Sequence, residues 1–253
     1  MRKEPVFYKK NFLIYGFGKS GFASYKFLNK KNNCKIIDDN GKNIPRKYKK
    51  IKINYKQLKK NNFDYIVLSP GIDINRCNLS KYLKKNNSKI ITELDIFYLS
   101  HPKIKKITIT GTNGKSTTSK LLYDVLKEHK KDVRLTGNIG NPTLLERGLK
   151  NNTIFIIEAS SYQLEYSKYY KSEYSLILNL SPDHLERHGN FKNYIKAKFK
   201  LIKNQSKNNY AFIENRNNLL NNLINKNKIK SKIFRVNYKK YQKYDSLINN
   251  LYF

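Results

Sequence analysis

The chain has 253 residues, 39% of them hydrophobic, enough apolar material for one large or two medium folded domains. Its 52 lysines and arginines face only 18 acidic residues, a formal net charge of +34. The basic residues are scattered among asparagines in every segment (Lys9-Lys10-Asn11, Lys59-Lys60-Asn61-Asn62, Lys84-Lys85-Asn86-Asn87) instead of gathering on one predicted face, so the charge predicts a solvated surface and no nucleic-acid partner.

No apolar run approaches the roughly 20 residues of a bilayer span. The start, Met1-Arg-Lys-Glu-Pro5, lacks the apolar core of a secretory signal, and Cys34 and Cys77 have neither metal-type spacing nor the numbers for a disulfide framework. These features predict a cytoplasmic protein with no membrane partner. In chain order, Phe12-Leu-Ile-Tyr15 reads as a short buried strand, followed by Gly16-Phe-Gly-Lys-Ser-Gly21 and a helical pattern over Phe22, Tyr25, Phe27 and Leu28. Lys35-Ile-Ile37, ending in Asp38-Asp39, and Asp64-Tyr-Ile-Val-Leu68, ending in Ser69-Pro-Gly71, are further strands. Ile90-Ile91 is a weak strand, and Glu93 to Leu99 reads as helical. A second unit begins near His101-Pro102. Its predicted strands are Ile107-Thr-Ile-Thr110, Thr153-Ile-Phe-Ile-Ile157, Ser175-Leu-Ile-Leu178, Tyr210-Ala-Phe-Ile213 and Lys232-Ile-Phe-Arg-Val236. Helices are predicted over Leu121 to Leu126 and Phe191 to Ile202, and the signal fades from Asn237. Short apolar strands alternating with helices predict an α/β protein with mostly parallel sheets, divided as residues 1–100 and 101–253.

Two glycine-rich loops sit at predicted strand-to-helix junctions. Gly16-x-Gly18-x-x-Gly21 occupies the fingerprint position for a pyrophosphate, and Asp38 and Asp39 follow about 20 residues on, where a ribose or base contact sits. These residues alone leave open a dinucleotide, another phosphorylated ligand, or a tight turn with no ligand. The run Thr110-Gly-Thr-Asn-Gly-Lys-Ser-Thr117 is the stronger signal. Gly111 and Gly114 let backbone N–H groups approach an anion, Lys115 supplies a point charge for the outer phosphates, and Ser116 can offer a hydroxyl to magnesium. It departs from the common G-x-x-x-x-G-K-[ST] form, because Ile109 stands where the first glycine would be. Glu158 begins where a strand ends and can hold magnesium facing the phosphate loop. Asp183 and His184 lie on the same predicted ligand edge. His184 and His188 have i,i+4 spacing, but Pro182 and Gly189 argue against a zinc pair on one helix. Lys198 is mid-helix, and its periodicity is taken as no different from that of Lys196 or Lys200, which predicts a solvated lysine.

As a set, Gly16 to Gly21, Ser69-Pro-Gly71, Gly111 to Thr117, Gly137-Asn-Ile-Gly-Asn-Pro142, Glu158-Ala-Ser-Ser-Tyr-Gln-Leu-Glu165, Asn179 to Gly189 and Ala197-Lys198 resemble the Mur ligases, the ATP-dependent amide-forming enzymes of peptidoglycan synthesis. The likeness runs from residue 12 to about 215. It implies a Rossmann-like UDP-binding domain followed by a P-loop-type ATPase domain, with the family's third, C-terminal domain absent from this chain, and hence a chain not competent alone. The resemblance assigns Gly16, Gly18, Ser20, Gly21, Asp38, Asp39, Ser69, Pro70 and Gly71 to the UDP-sugar, and Asn138, Ser160 and Gln163 to its muramoyl-peptide end. It assigns Gly111, Thr112, Asn113, Gly114, Lys115, Ser116, Thr117 and Asn215 to ATP. Two Mg2+ ions would be held by Ser116, Glu158, His184 and a carbamylated Lys198, and Lys115, His184 and Lys198 would be the catalytic set. The first glycine loop and Asp183-His-Leu-Glu-Arg-His-Gly189 favour the branch that adds D-glutamate to UDP-N-acetylmuramoyl-L-alanine (UDP-MurNAc-L-Ala) through an acyl phosphate, acting as a monomer. A non-catalytic UDP-sugar or nucleotide-binding remnant and a folylpolyglutamate-type ligase stay open as alternatives.

Overall fold

The computed structural model describes residues 6–40 and 44–236, so the fading signal after Asn237 lies outside the described residues. Two parallel sheets organise the chain. The first has the order β2-β1-β3-β4, from β1 (Asn11–Tyr15), β2 (Asn33–Ile37), β3 (Tyr65–Leu68) and β4 (Ile90–Ile91). The second has six strands in the order β10-β9-β8-β5-β7-β6, from β5 (Lys105–Thr110), β6 (Val133–Gly137), β7 (Ile154–Glu158), β8 (Tyr174–Ile177), β9 (Tyr210–Glu214) and β10 (Lys232–Val236). All pairings are parallel, as expected for runs such as Phe12-Leu-Ile-Tyr15 that are buried on both faces.

The sheet orders fix where a ligand can lie. In the first sheet the chain passes from β1 to β2 on one side and to β3 on the other. In the second, β5 is flanked by β7 and β8. The carboxyl ends at these switch points are where open α/β sheets leave a crevice. They carry Gly16 and Ser69-Pro-Gly71 in the first sheet, and Gly111 and Asn179 in the second.

The helices that cover the sheets follow from the sequence spacing. Helix α1 (Lys19–Leu28) opens directly from the first glycine loop, and α5 (Lys115–Glu128) from the second, while α2 (Tyr55–Leu58), α3 (Ser80–Lys85) and α7 (Leu185–His188) are short helices in the connections. Helix α4 (Glu93–Ser100) starts with a capping box formed by Thr92 and Asp95 and buries Leu94, Ile96 and Phe97. It joins the two units: the Phe97 ring lies 4.6 Å from that of Phe155 on β7, and one apolar cluster runs from Phe12 and Ile14 through Leu94 and Phe97 to Phe155, Ile157 and Leu164. Helix α8 (Phe191–Lys203) packs Tyr194, Ile195, Phe199 and Ile202 over β8 and β9, as expected from its spacing.

Asp95 shows how the junction is held. Its Oδ2 accepts the Thr92 N–H and hydroxyl at 3.0 Å each. Its Oδ1 accepts the Ser167 hydroxyl at 2.8 Å and the backbone N–H groups of Lys168, Tyr169 and Tyr170 at 3.1, 2.8 and 2.9 Å. The carboxylate is fully buried. Asp95→Asn keeps the shape but turns an NH2 group towards N–H donors whichever way the amide is oriented. We expect a loss of about 2–3 kcal/mol, or roughly 5–10 °C in Tm, in thermal denaturation. An unchanged Tm would mean that the 167–170 segment is held elsewhere.

Candidate functional site

Strand β5 delivers the second glycine loop to the crevice. Gly111 has φ +156° and Gly114, the residue before α5, has φ +79°, so the loop turns through backbone that side chains disfavour and opens onto the helix N-terminus. Asn179, just past β8, pins the loop from the neighbouring strand. Its carbonyl accepts Thr112 N–H at 2.8 Å, its side-chain oxygen accepts Asn113 N–H at 2.8 Å, and its amide donates to Asn113 O at 3.0 Å. Thr112 Oγ1 accepts Ser181 N–H at 3.0 Å and lies 3.0 Å from the Tyr194 hydroxyl. Lys115 Nζ donates to Thr112 O at 2.6 Å, which holds the ammonium over the loop. Ser116 and Thr117 are exposed in the first turn of α5.

Glu158, at the end of β7, is 1% exposed. Its Oε1 accepts the Asn138 amide at 2.7 Å, whereas its Oε2 is buried with no hydrogen-bond partner. A buried carboxylate oxygen left unpaired is costly. A hard cation is the partner its chemistry suits, so Glu158 fits a magnesium ligand.

Lys198 corrects the expectation of a solvated lysine. It is 2% exposed, its Nζ donates to Gly111 O at 2.9 Å and to Thr110 Oγ1 at 3.2 Å, and it lies 4.6 Å from the Tyr194 ring centroid. Burial first, then the neighbouring Lys115, lowers its pKa to about 7 against the opposing pull of Asp183 and Glu158. The signal was present in the spacing. Lys198 is four residues after Tyr194 and four before Ile202, in the middle of the buried stripe of α8, whereas Lys196 is exposed.

His184 is not bonded to Lys198. It occupies the left-handed region at φ +52°, lies 3.4 Å from Asp183 and 3.6 Å from Glu186, and rests against Tyr162 with ring centroids 4.8 Å apart. No hydrogen bond or ion pair joins it to Lys198 or Glu158, and among the described residues no three His, Cys, Asp or Glu side chains are grouped to hold a metal. His188 is the buried member of the pair, 3.0 Å from Ser161 Oγ, and burial lowers its pKa. Asn215, just past β9, donates its N–H to Val236 O on β10 at 3.2 Å.

The first glycine loop faces the second unit across a cleft of about 200 Å³ lined by Lys19, Ser20, Pro70, Asn138, Ser160 and Gln163, among others. Ser160 caps α6 (Ser161–Glu165) in a capping box with Gln163. Ser69 Oγ donates to Gly16 O at 2.7 Å, and Asp38 accepts Phe17 N–H at 2.6 Å. Asp39 is held by two phenols, Tyr15 at 2.6 Å and Tyr55 at 2.7 Å, and burial together with this bond raises the pKa of Tyr15. Glu93, which the sequence did not single out, closes the floor of the cleft. It accepts the Ser20 hydroxyl at 2.9 Å, the Thr143 hydroxyl at 2.7 Å and Leu144 N–H at 3.3 Å, and burial raises its pKa. No helix of the described residues is long and apolar enough to cross a membrane.

Known proteins of this kind can be set beside this geometry. A UDP-N-acetylmuramoylalanine--D-glutamate ligase of Rickettsia bellii (strain RML369-C) is 34% identical over 251 residues, covering 96% of this chain and 55% of that protein. The corresponding ligase of Elusimicrobium minutum (strain Pei191) is 38% identical over 225 residues, covering 84% of this chain and 50% of that protein. The chain thus spans about half the length of these curated relatives. Among solved structures, a UDP-N-acetylmuramate:L-alanyl-gamma-D-glutamyl-meso-diaminopimelate ligase from Neisseria meningitides shares the fold at a TM-score of 0.57 and 13% identity, over 90% of this chain and 78% of that one. A family model described as the Mur ligase middle domain matches residues 109–251, more than half of the chain, and the protein belongs to the Mur ligase family.

Proposed function

We propose that the protein supplies the sugar-nucleotide and ATP sites of a cytoplasmic ligase that joins D-glutamate to UDP-MurNAc-L-Ala. The observation that carries this reading is the placement of a buried, easily deprotonated Lys198 and the unpaired oxygen of Glu158 beside a glycine loop that presents Lys115. The names of the relatives supply the substrates.

In this reading the loop of residues 111–117 wraps the phosphates of ATP, and Lys115 exchanges its Thr112 carbonyl for phosphate oxygens. The alanyl carboxylate attacks the γ-phosphorus, ADP leaves, and the amine of D-glutamate then displaces phosphate from the acyl phosphate. Two anions must meet, so the work of the protein is alignment and charge compensation. Ser116 and Glu158 would hold magnesium, with His184 and a carbamate on Lys198 completing a second site after a rearrangement that brings His184 in. The ion supplies charge neutralisation on the phosphoryl oxygens. A neutral Lys198 amine can add to carbon dioxide and lose a proton, giving the carbamate oxygens that a hard cation prefers. Gly16, Gly18, Ser20, Gly21 and Ser69 to Gly71 would line the diphosphate, Asp38 and Asp39 the uridine side, and Asn138, Ser160 and Gln163 the peptide end.

Calorimetric titration with magnesium-ATP and with UDP-MurNAc-L-Ala tests the reading. Lys115→Ala is expected to weaken ATP binding by about a hundredfold, roughly 3 kcal/mol, and to leave UDP-sugar binding unchanged. Failure of the parent protein to bind either ligand would reject the proposal. UDP-sugar binding without ATP binding would leave the non-catalytic remnant as the reading.

A further inference from the structure

Arg187 belongs to the same segment as His184 yet points to the other unit. Its side chain is 8% exposed and is flanked by Tyr162 and Tyr166, whose ring centroids lie 5.2 and 5.6 Å from the guanidinium carbon. Nε and one terminal nitrogen pair with Glu165 Oε2 at 3.0 and 2.8 Å. The terminal nitrogens also donate to three consecutive carbonyls of the loop after β3: Ile72 at 2.6 Å, and Pro70 and Gly71 at 3.4 Å each. Tyr166 adds a parallel tie, its hydroxyl accepting Ile74 N–H at 3.2 Å.

We propose that Arg187 is a positioning residue that locks the Pro70–Ile72 loop of the first unit against α6 and the Asp183–His184 turn of the second, and so fixes the geometry of the cleft between them. That the cleft takes a UDP-sugar rests on the function proposed above; the lock itself does not.

A guanidinium withdrawn from water is kept only if its charge and its donors are matched. Here one carboxylate matches the charge and the loop carbonyls accept from both terminal nitrogens, so the partners come from both units. Burial raises the pKa of Glu165 while Arg187 opposes that rise, as expected of a half-buried carboxylate beside a cation. The planar fork reaches carboxylate and carbonyls at fixed angles, which a lysine ammonium cannot reproduce. The tie is also placed to matter. Pro70 and Tyr162, one bonded to Arg187 and the other stacked on it, both line the cleft. Glu93, which lines the same cleft, links Ser20 to Thr143 and Leu144. Two bridges, through Glu93 and Arg187, thus hold the cleft between the units.

Amide hydrogen exchange on the 253-residue protein, with parallel titrations of UDP-MurNAc-L-Ala and magnesium-ATP, tests this. Arg187→Ala and Arg187→Lys are both expected to speed exchange at the Ile72 and Ile74 amides by about tenfold or more, with strands β1 and β5 unchanged. UDP-sugar affinity should fall by about tenfold and ATP affinity should hold. If Arg187→Ala loosens both sheets, Arg187→Lys carries the test. Parent-like exchange at Ile72 and Ile74 in the lysine variant overturns the proposal, because a lysine that suffices means charge alone was needed. Local loosening with unchanged UDP-sugar affinity overturns it as well. Should the parent bind no UDP-sugar, the ligase reading fails and the exchange result alone decides the lock.

Discussion

Replacing Lys198 with methionine is expected to make the protein more stable at pH 7 and to abolish its uptake of carbon dioxide at this position. The two effects share one cause. The folded protein holds this amine at a pKa of about 7, while the unfolded chain keeps its proton to about 10.5. Between those values the unfolded state binds more protons, so stability rises with pH across the window. The burial penalty is fully present below pH 7 and is relieved towards pH 10.5. The shift corresponds to on the order of 5 kcal/mol at its fullest. Methionine fills a similar volume without charge but abandons the bonds to Gly111 O and Thr110 Oγ1, a loss on the order of 1–3 kcal/mol. The net gain at pH 7 is about 2 kcal/mol, or roughly 4–8 °C in Tm, and should vanish between about pH 9 and 10. The difference between parent and variant isolates Lys198 from Lys106, Lys168 and Lys200, whose pKa values burial also lowers. A variant less stable at pH 7, or a gap independent of pH, would contradict the account. In 13C-bicarbonate the parent should show a carbamate resonance that the variant lacks, a readout that needs no turnover. Stability set aside for a reactive group is a common mark of active sites.

Much of the fold was legible because local signals and tertiary demands agree. The strands at Phe12–Tyr15, Ile107–Thr110 and Tyr210–Ile213 are short, apolar and bounded by polar ends, as a doubly covered parallel sheet requires. Strand β6 escaped notice because it is an edge. Its Arg134 pairs with Asp132 and Glu146, and only Val133 and Thr136 are buried, so no apolar run marks it. Helix α9 (Asn218–Lys226) escaped because asparagines dilute its pattern, although Leu220 and Ile224 are correctly spaced and buried. In the candidate site, the placement of Gly111 to Ser116 between β5 and α5 and of Glu158 at the end of β7 was legible, since an apolar run followed by polar or glycine residues marks a strand terminus. Lys198 required weighing a lysine against the apolar stripe around it. Glu93, Asp95 and Arg187 were not legible. Apart from Thr92 beside Asp95 and Glu165, 22 residues from Arg187, their hydrogen-bond partners lie 50 to 117 residues away, and nothing local distinguishes a carboxylate that will bridge two units from one that faces water.

Gly21→Ala and Gly18→Ala should fail in opposite ways, although both alter the same glycine loop. A Cβ on Gly21 would fall within the van der Waals shell of the Gly16 carbonyl oxygen, and 2.9 Å from Ser69 Oγ. The obstacle is backbone, so no rotamer relieves it. The start of α1 must move, taking Ser20 from Glu93 and Phe17 from Asp38. We expect about 3–5 kcal/mol of destabilisation and poor recovery of folded protein. Gly18 is different. It has φ −71°, which alanine adopts freely, and a Cβ there would meet nothing within 4 Å. Gly18→Ala should melt within about 3 °C of the parent, as a surface exchange costing under about 1 kcal/mol does. That open space is where a diphosphate would approach the backbone, so the same methyl should weaken UDP-sugar binding by about tenfold or more while ATP binding holds. Circular-dichroism melts and titration separate the two defects. If Gly18→Ala keeps parental affinity for the sugar nucleotide, the diphosphate does not lie on the exposed side of the loop. Gly16 and Gly21 would then serve only to let β1, α1 and Ser69 pack closely.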